Sequence, residues 1–452
     1  MTKVVNIFLI IAAMVVIPYT VGSYAPLFVY LFSLISLLGI CFKIEGAEFI
    51  LIAISLCLPS GWVGNTGMTF PEIDRMFIAF NQSLYIISII SVSFFGVKSL
   101  GRIGIVPIAL ALVLIGIFIS LNTGNINEFM HIWTALATGF CFLLICLKDK
   151  KTSLKDVFVY IDVLFVVTTI YAVLDFFFNI SPYHSVYDTI LDIRKIIQAK
   201  GLLGNALYLA GIALFYQACL YVRMLLTKKI YYVQEFFCVV LILISLSRTA
   251  IIVFIVEYLL YLYIIGAYKK TKLVMINVFV ICILVFLIFF FADSIVADLI
   301  VRFTEGSFEH RESAYVTVFS LFFNNPFGVG FYRIMESIRS GGYAAQGFSD
   351  GFSTVDNFFL TEIASYGLFA FFTVFYYYFF LIRAFVQNKK KKRMLSFLLL
   401  IYVPLILQSF SYDWQIALPL CLFLYGFIGH LIRECEKVDC CNAGSNHHNR
   451  YS

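Results

Sequence analysis

Long apolar stretches separated by short polar ones dominate this chain. Predominantly apolar runs cover residues 4–21, 24–42, 47–59, 82–97, 103–121, 129–147, 157–178, 203–226, 230–246, 250–267, 273–292, 358–382, 394–411 and 414–431. A helix that crosses the hydrocarbon layer needs about 20 apolar residues, and most of these runs approach that length. The pattern predicts an all-α, polytopic integral membrane protein with about 12–14 transmembrane helices. The range reflects three short runs, the third, ninth and tenth, of which the last two are split only by Ser247-Arg248-Thr249. The first run follows a lysine and has no clear small-residue cleavage site behind it, so it reads as the first span and not as a removed signal peptide.

Composition narrows the choice further. Of 452 residues, 62% are hydrophobic and 13% charged, against roughly 25% charged in a soluble protein. Mean hydropathy is +0.95. So few polar side chains cannot cover a soluble fold, and disorder needs the opposite balance. Nucleic-acid binding needs a basic face on a folded domain, and no soluble segment is large enough to present one. The 11 cysteines show no metal-ligand spacing. Cys440 and Cys441 are adjacent in a polar tail, and the others stand singly in apolar runs, which suits small apolar filler. No metal and no cofactor is expected.

The net charge of +6 matters less than its placement. If the N-terminus is cytoplasmic and the loops alternate, 23 of the 32 Lys and Arg fall on the cytoplasmic side, 17 of them Lys. The positive-inside rule therefore places both termini in the cytoplasm. The other side holds 7 Arg and 2 Lys. Positive charge there works against the topology signal, and guanidinium is the planar, bidentate group suited to phosphate. Trp62, Trp133 and Trp414 fall at the outer ends of their spans, as interfacial anchors. The chain divides into an N-terminal transmembrane bundle (1–199), transmembrane helices with a Ser-Arg motif (200–292), a large extracytoplasmic loop containing short helices (293–357), C-terminal transmembrane helices (358–432) and a cytoplasmic tail (433–452). Transporters keep their site near the bilayer midplane in broken helices. Here the polar mass lies in the outer segments 179–202 and 293–357, which favours an enzyme or receptor working at the outer surface.

Four motifs carry candidate chemistry, each beside a plainer reading. Ile244-Ser245-Leu246-Ser247-Arg248-Thr249-Ala250 puts an arginine between two apolar helices, which is costly unless it is paired or faces a polar cavity. Its plainer role is snorkelling to lipid phosphate. His310-Arg311-Glu312-Ser313 opens an amphipathic stretch to Phe323, followed by Asn324-Asn325-Pro326-Phe327-Gly328-Val329-Gly330-Phe331. Pro326 ends a helix, and Gly328 and Gly330 let backbone approach a ligand, or simply make a turn. Asp356-Asn357 before Phe358–Gly367 places Asp356 at a helix N-cap, or makes Asp356 or Glu362 a carboxylate near a reacting hydroxyl. Lys200-Gly201-Leu202-Leu203-Gly204-Asn205 sets a cation and flexible backbone at the mouth of the eighth span, or marks a helix start. Asp162, Asp175, Glu235 and Glu257 also fall within apolar runs. Glu257, mid-span, requires a partner, but four acids scattered along the chain make no relay.

Together these motifs resemble the O-antigen polymerase and O-antigen ligase family, whose members handle undecaprenyl-diphosphate-linked glycans. The likeness rests on Leu246–Ala250, on Arg311 with Asn325–Phe331, on Asp356-Asn357 before Glu362 and Gly367, and more loosely on Gly201 with Gly204-Asn205. It covers about residues 200–385. Ligases of the family carry a histidine where this chain has Asp356, which favours the polymerase. His310 and His184 are not in the matching position, and the arginine-glycine loop of some polymerases is not evident. The resemblance implies an inverting, metal-independent glycosyl transfer at the outer face of the bacterial inner membrane. It implies a diphosphate clamp of Arg248 and Arg311, with Arg302, Arg333, Arg339 and Lys200 as helpers, and Asp356 or Glu362 acting on the acceptor. Implied partners are the lipid-linked repeat units, the bilayer, a chain-length regulator and a flippase. A ligase acting on lipid A core, and a lipid-linked glycan flippase or exporter, are the rival readings.

Overall fold

The computed structural model describes residues 2–20, 24–58, 70–95, 106–141, 151–178, 180, 199, 201–245, 247–266, 307–346, 355, 357–386, 392–411 and 418–448. Among them all regular structure is helical. The elements are α1 (Thr2–Tyr19), α2 (Ala25–Cys41), α3 (Glu48–Leu56), α4 (Phe70–Phe95), α5 (Val106–Thr123), α6 (Ile126–Leu136), α7 (Leu154–Phe178), α8 (Ala206–Thr227), α9 (Tyr232–Ile244), α10 (Arg248–Ile264), α11 (Ser307–Asn324), α12 (Ile334–Gly341), α13 (Phe358–Tyr366), α14 (Ala370–Val386), α15 (Lys392–Gln408) and α16 (Leu418–His448). The expected eleventh span, 273–292, lies outside the described residues, as do Trp62 and Trp414.

Burial explains which helices line the bundle and which meet lipid. In α8 every residue from Leu209 to Val222 is buried, as expected of a helix that is apolar all round. It packs against α7, α9, α10, α15 and α16 and forms the axis of the fold. In α5, by contrast, Leu110, Leu114, Ile117, Phe118 and Leu121 are exposed. Apolar side chains at such positions suit contact with acyl chains and not with water. Among the described residues, six segments are long and apolar enough to cross a membrane, and Ala25–Cys41, Tyr232–Ile244 and Met394–Gln408 are shorter apolar helices.

One expected span takes another form, and another, Phe358–Val386, is long and apolar enough to cross but carries an interruption. The run at 47–59 yields α3, whose nine residues are all buried. At 1.5 Å per residue it covers about half of a 30 Å hydrocarbon layer. Its first residue, Glu48, carries Oε1 3.1 Å from His430 Nε2 of α16, which anchors the helix inside the protein. The run at 358–382 is broken by a 3₁₀ turn at Gly367–Phe369 into α13 and α14. The Phe358 N–H donates to the Ser409 carbonyl at the end of α15 (2.9 Å). The other end of α13 is tied to a loop that sits on the α5–α6 turn, as described below. Both ends of α13 are thus held by backbone hydrogen bonds to other elements.

The long loop is also more than a connection. Ala314, Val318 and Leu321 of α11, Ile334, Met335 and Ile338 of α12, and Leu360 and Ala364 of α13 form a second apolar core, with Val355. The buried positions of α11 recur every three or four residues, the spacing of one helix face. The segment from 307 to 346 is a packed cap over the loop-bearing end.

Candidate functional site

The cap is held down by a run of backbone hydrogen bonds centred on Asn325–Tyr332. Val329 N–H donates to the Ala364 carbonyl and Gly330 N–H to the Ser365 carbonyl, both at 3.0 Å. In return the Leu368 N–H donates to the Pro326 carbonyl at 2.9 Å. Gly328 has φ +83°, and a Cβ there would stand 2.2 Å from the Ser365 oxygen. No side chain fits so close to a backbone atom. The sequence reading has the backbone at Gly328 and Gly330 approach a ligand; in the structure Gly328 lies against the chain's own α13 and Gly330 against the Glu128 side chain.

Beyond Gly330 the loop meets α6. Glu128 is fully buried and accepts from the Phe331 N–H at 2.7 Å and from the Tyr332 N–H at 3.0 Å. Gly330 has φ +88°, and a Cβ on it would lie 2.7 Å from the Glu128 carboxyl carbon. The His131 ring, one turn along α6, stacks on Phe331 at 4.0 Å and 9°. Sequence reasoning missed Glu128 and His131 because the motif they serve is two hundred residues away. An acid in the first turn of an otherwise apolar helix was the available signal.

The other candidates are distributed around this clasp. Arg333 Nη1 donates to the Thr123 carbonyl at 3.3 Å, and its Nε lies 3.6 Å from Glu336 Oε2. Arg339 is exposed on α12. Asn357, and not Asp356, caps α13: its Oδ1 accepts from the Leu360 N–H at 3.1 Å. Asn357 Nδ2 also donates to Tyr315 Oη at 3.2 Å and to the Phe410 carbonyl at 3.4 Å. Three helices, α11, α13 and α15, therefore meet at one amide. Arg311 sits in α11, one helical turn before Tyr315. Glu362 is buried within α13. Asp356, Lys200 and Arg302 lie outside the described residues.

Arg248 opens α10 and is half-buried. Ser247 caps that helix, its Oγ accepting from the Ala250 N–H at 3.4 Å. The α10 helix packs along α15, whose last turn receives Asn357 and Phe358. The segment around Lys200 reaches the same neighbourhood. Ala199 N–H donates to the Ile244 carbonyl at 3.0 Å, Gly201 N–H donates to Asp175 Oδ2 at 3.0 Å, and Asn205 caps α8 by accepting from the Leu207 N–H at 2.8 Å. Asp175 is thereby accounted for as a backbone tether. An enclosed apolar cavity bounded by Leu56, Phe165, Ile212 and Phe423 lies elsewhere in the bundle and touches none of these groups.

The described parts of the four motifs thus lie on elements that pack together in one helical bundle. Residues 236–375 match the family model described as O-antigen ligase. Over that segment the chain is similar to the O-antigen ligase family. No curated protein matches the chain. Within the matched segment lie Arg248, Arg302, Arg311, Gly328, Gly330, Arg333, Arg339, Asp356 and Glu362. Glu128 and Lys200 stand outside the matched range, so the clasp on Phe331 and Tyr332 ties the matched segment to α6.

Proposed function

We propose that this protein polymerises undecaprenyl-diphosphate-linked oligosaccharide repeat units into O-antigen or a related surface polysaccharide. The reaction takes place at the outer face of the inner membrane, with both termini in the cytoplasm. The observation that carries the reading is the junction at Asn357. Its bonds to Tyr315 and Phe410 seat the start of α13, next to Asp356, against α11 one turn from Arg311 and against the end of α15. A carboxylate and a guanidinium that act on the two ends of a glycosyl transfer are what this reading asks of Asp356 and Arg311.

In this reading an acceptor hydroxyl of one repeat unit attacks the anomeric carbon of the growing chain. The new C–O bond forms as the bond to the diphosphate breaks, and the diphosphate leaves with the electron pair. Arg248 and Arg311 bind it, helped by Arg302, Arg333, Arg339 and Lys200, and stabilise charge that develops in the transition state. The hydroxyl proton passes to a carboxylate. Glu362 is buried in its helix, which supports Asp356 for that role. The substrate arrives and the product grows through a flippase and a chain-length regulator as partners.

The test is Arg248→Ala and Arg311→Ala, each in the intact protein. Both variants are expected in the membrane at wild-type levels, with the polymer ladder lost and single-repeat product persisting. A normal ladder from both sinks the assignment. The family description itself favours a second reading, transfer of finished glycan to lipid A core. Deletion of the gene separates the two: a missing polymerase leaves one capped repeat, a missing ligase leaves none.

A further inference from the structure

Three acids that lie far apart in the sequence meet around α8, away from the Asn325–Tyr332 clasp. Asp162 of α7 accepts from Arg223 Nη1 at 2.7 Å and from Tyr216 Oη at 2.6 Å. It is both neutralised and hydrogen-bonded. The guanidinium of Arg223 also covers the Tyr231 ring at 4.1 Å. Glu235, in the first turn of α9 and half-buried, accepts from Tyr221 Oη at 3.4 Å. Tyr221 Oη in turn accepts from Gln217 Nε2.

Glu257 of α10 differs from both. It is 0% exposed, and neither carboxyl oxygen has a hydrogen-bond partner among the described residues. Helical register shows what it faces. The Tyr221 and Tyr261 rings stack at 4.4 Å and 8°. The short turns 228–231 and 245–247 make α9 antiparallel to both α8 and α10, so α8 and α10 run the same way. One turn before Tyr221 is Gln217, and one turn before Tyr261 is Glu257, so these two stand at the same level between the same helices. Gln217 is also 0% exposed, and its Oε1 likewise has no donor. Register therefore sets two buried acceptors at the same level of neighbouring helices. An ionised carboxylate with neither donor nor cation is strongly disfavoured there, and the guanidinium of the cluster, on Arg223, is taken up by Asp162. One proton satisfies both acceptors.

We propose that Glu257 and Gln217 form a proton-binding site inside the bundle, in which Glu257 carries the proton and Gln217 Oε1 accepts its hydrogen bond. The site is loaded through Glu235 and Tyr221 from the end that carries the 228–231 turn. One proton passes from water at that turn to the Glu257 carboxylate, and only O–H bonds are made or broken. The other titratable groups of the cluster are Tyr216, Cys219 and Tyr221 of α8, Tyr231 before α9, Tyr232, Glu235 and Cys238 of α9, Tyr258 and Tyr261 of α10, and Asp162 with its bound Arg223. From α15, packed along α10, the described residues add Tyr402, whose ring lies beside Tyr378 at 5.9 Å. The scattered acids of the sequence thus form a connected group after all, apart from Asp175.

Infrared spectroscopy of the full-length protein in lipid nanodiscs tests this directly. Near neutral pH the wild type should show the carbonyl band of a protonated carboxyl, and Glu257→Gln should remove it. If that variant does not accumulate, Glu257→Asp should shift the band. Transfer to heavy water should move the band, and Tyr221→Phe or Glu235→Gln should slow that exchange severalfold without removing it. Added sodium should leave the band in place. A wild type without the band, or a band that survives Glu257→Gln, overturns the site. Loss of the band on adding sodium makes it a metal-ion site instead. Exchange at the wild-type rate in both route variants overturns the route.

Discussion

Glu128 Oε1 accepts the backbone N–H of Tyr332 at 3.0 Å, while Oε2 takes that of Phe331, so one buried carboxylate of α6 fixes a loop two hundred residues away. Hydrogen bonds to a charged group are worth about 1.5–3 kcal/mol each, and stranding a buried donor costs about 1–3 kcal/mol. Glu128→Ala strands two. It should lower the stability of the detergent-solubilised protein by about 3 kcal/mol or more and abolish polymer. Glu128→Gln keeps one acceptor oxygen and turns a donor toward the second N–H, so it should fall between. Thermal melts of the three proteins check the order; equal melting of Glu128→Ala and wild type removes the clasp from the account.

The glycines of the same loop should differ in how badly they tolerate a methyl group. A Cβ on Gly328 meets the backbone oxygen of Ser365, whereas a Cβ on Gly330 meets the end of the Glu128 side chain. A helix end cannot retreat as a carboxylate can. Left-handed backbone costs about 1–3 kcal/mol for a residue with a side chain, and this applies to both. Gly328→Ala should therefore be the more damaging, with Gly330→Ala retaining some folded protein. Shortening the acid with Glu128→Asp should restore part of what Gly330→Ala loses, read as protein recovered in the membrane fraction. An unimproved double variant leaves strain at Gly330, and not contact with Glu128, as the cause.

Not every charge near the site should matter. The Arg333 pair with Glu336 spans 3.6 Å with side chains 44% and 68% exposed, and exposed pairs contribute about 0–1 kcal/mol. Glu336→Gln should leave stability and polymer length unchanged. Arg333→Gln additionally removes the donor to the Thr123 carbonyl, and under the proposed function it weakens binding of the diphosphate. It should shorten the ladder without altering the melt. A loss of polymer in Glu336→Gln means that the pair, and not the free guanidinium, is what the reaction uses.

Much of the fold was legible because hydropathy and length control membrane-spanning helices so strongly. The boundaries of α7, α8, α9 and α10 fall close to the apolar runs that predict them. Exceptions arise where tertiary contact overrides hydropathy. The run that includes α3 is apolar enough, yet Glu48 at its head has His430 to meet, and the helix stays short and buried. The run at 358–382 reads as one span, but Gly367 breaks it, and its neighbours Ser365 and Leu368 are bonded to the loop at Pro326–Gly330. The motif residues were visible as breaks in apolar sequence. Their supports were not, because Glu128, His131, Tyr315 and Phe410 are ordinary residues whose roles arise only from distant partners. The N-cap of α13 was displaced by one residue, from Asp356 to Asn357, since either side chain can cap and only the amide can also donate to Tyr315 and Phe410.

That last difference yields a test in which cap and junction separate. Asn357→Asp keeps an oxygen for the Leu360 N–H, so the cap survives, but it has no hydrogen to give Tyr315 Oη or the Phe410 carbonyl. It also faces that carbonyl with a negative charge. Asn357→Ala loses both functions, and a lost cap costs about 1 kcal/mol. Tyr315→Phe removes the hydroxyl acceptor alone. If the junction is what seats α13 against α11, Tyr315→Phe and Asn357→Asp should each reduce polymer, and together they should do little more than Asn357→Asp by itself. Residues in one hydrogen bond show such non-additivity, commonly about 0.5–3 kcal/mol, whereas independent sites add. Fully additive losses would mean that Tyr315 and Asn357 act separately. Asn357→Ser is the control: serine caps well and offers a hydroxyl too short for Tyr315, so it should melt like the wild type while polymerising like Asn357→Asp.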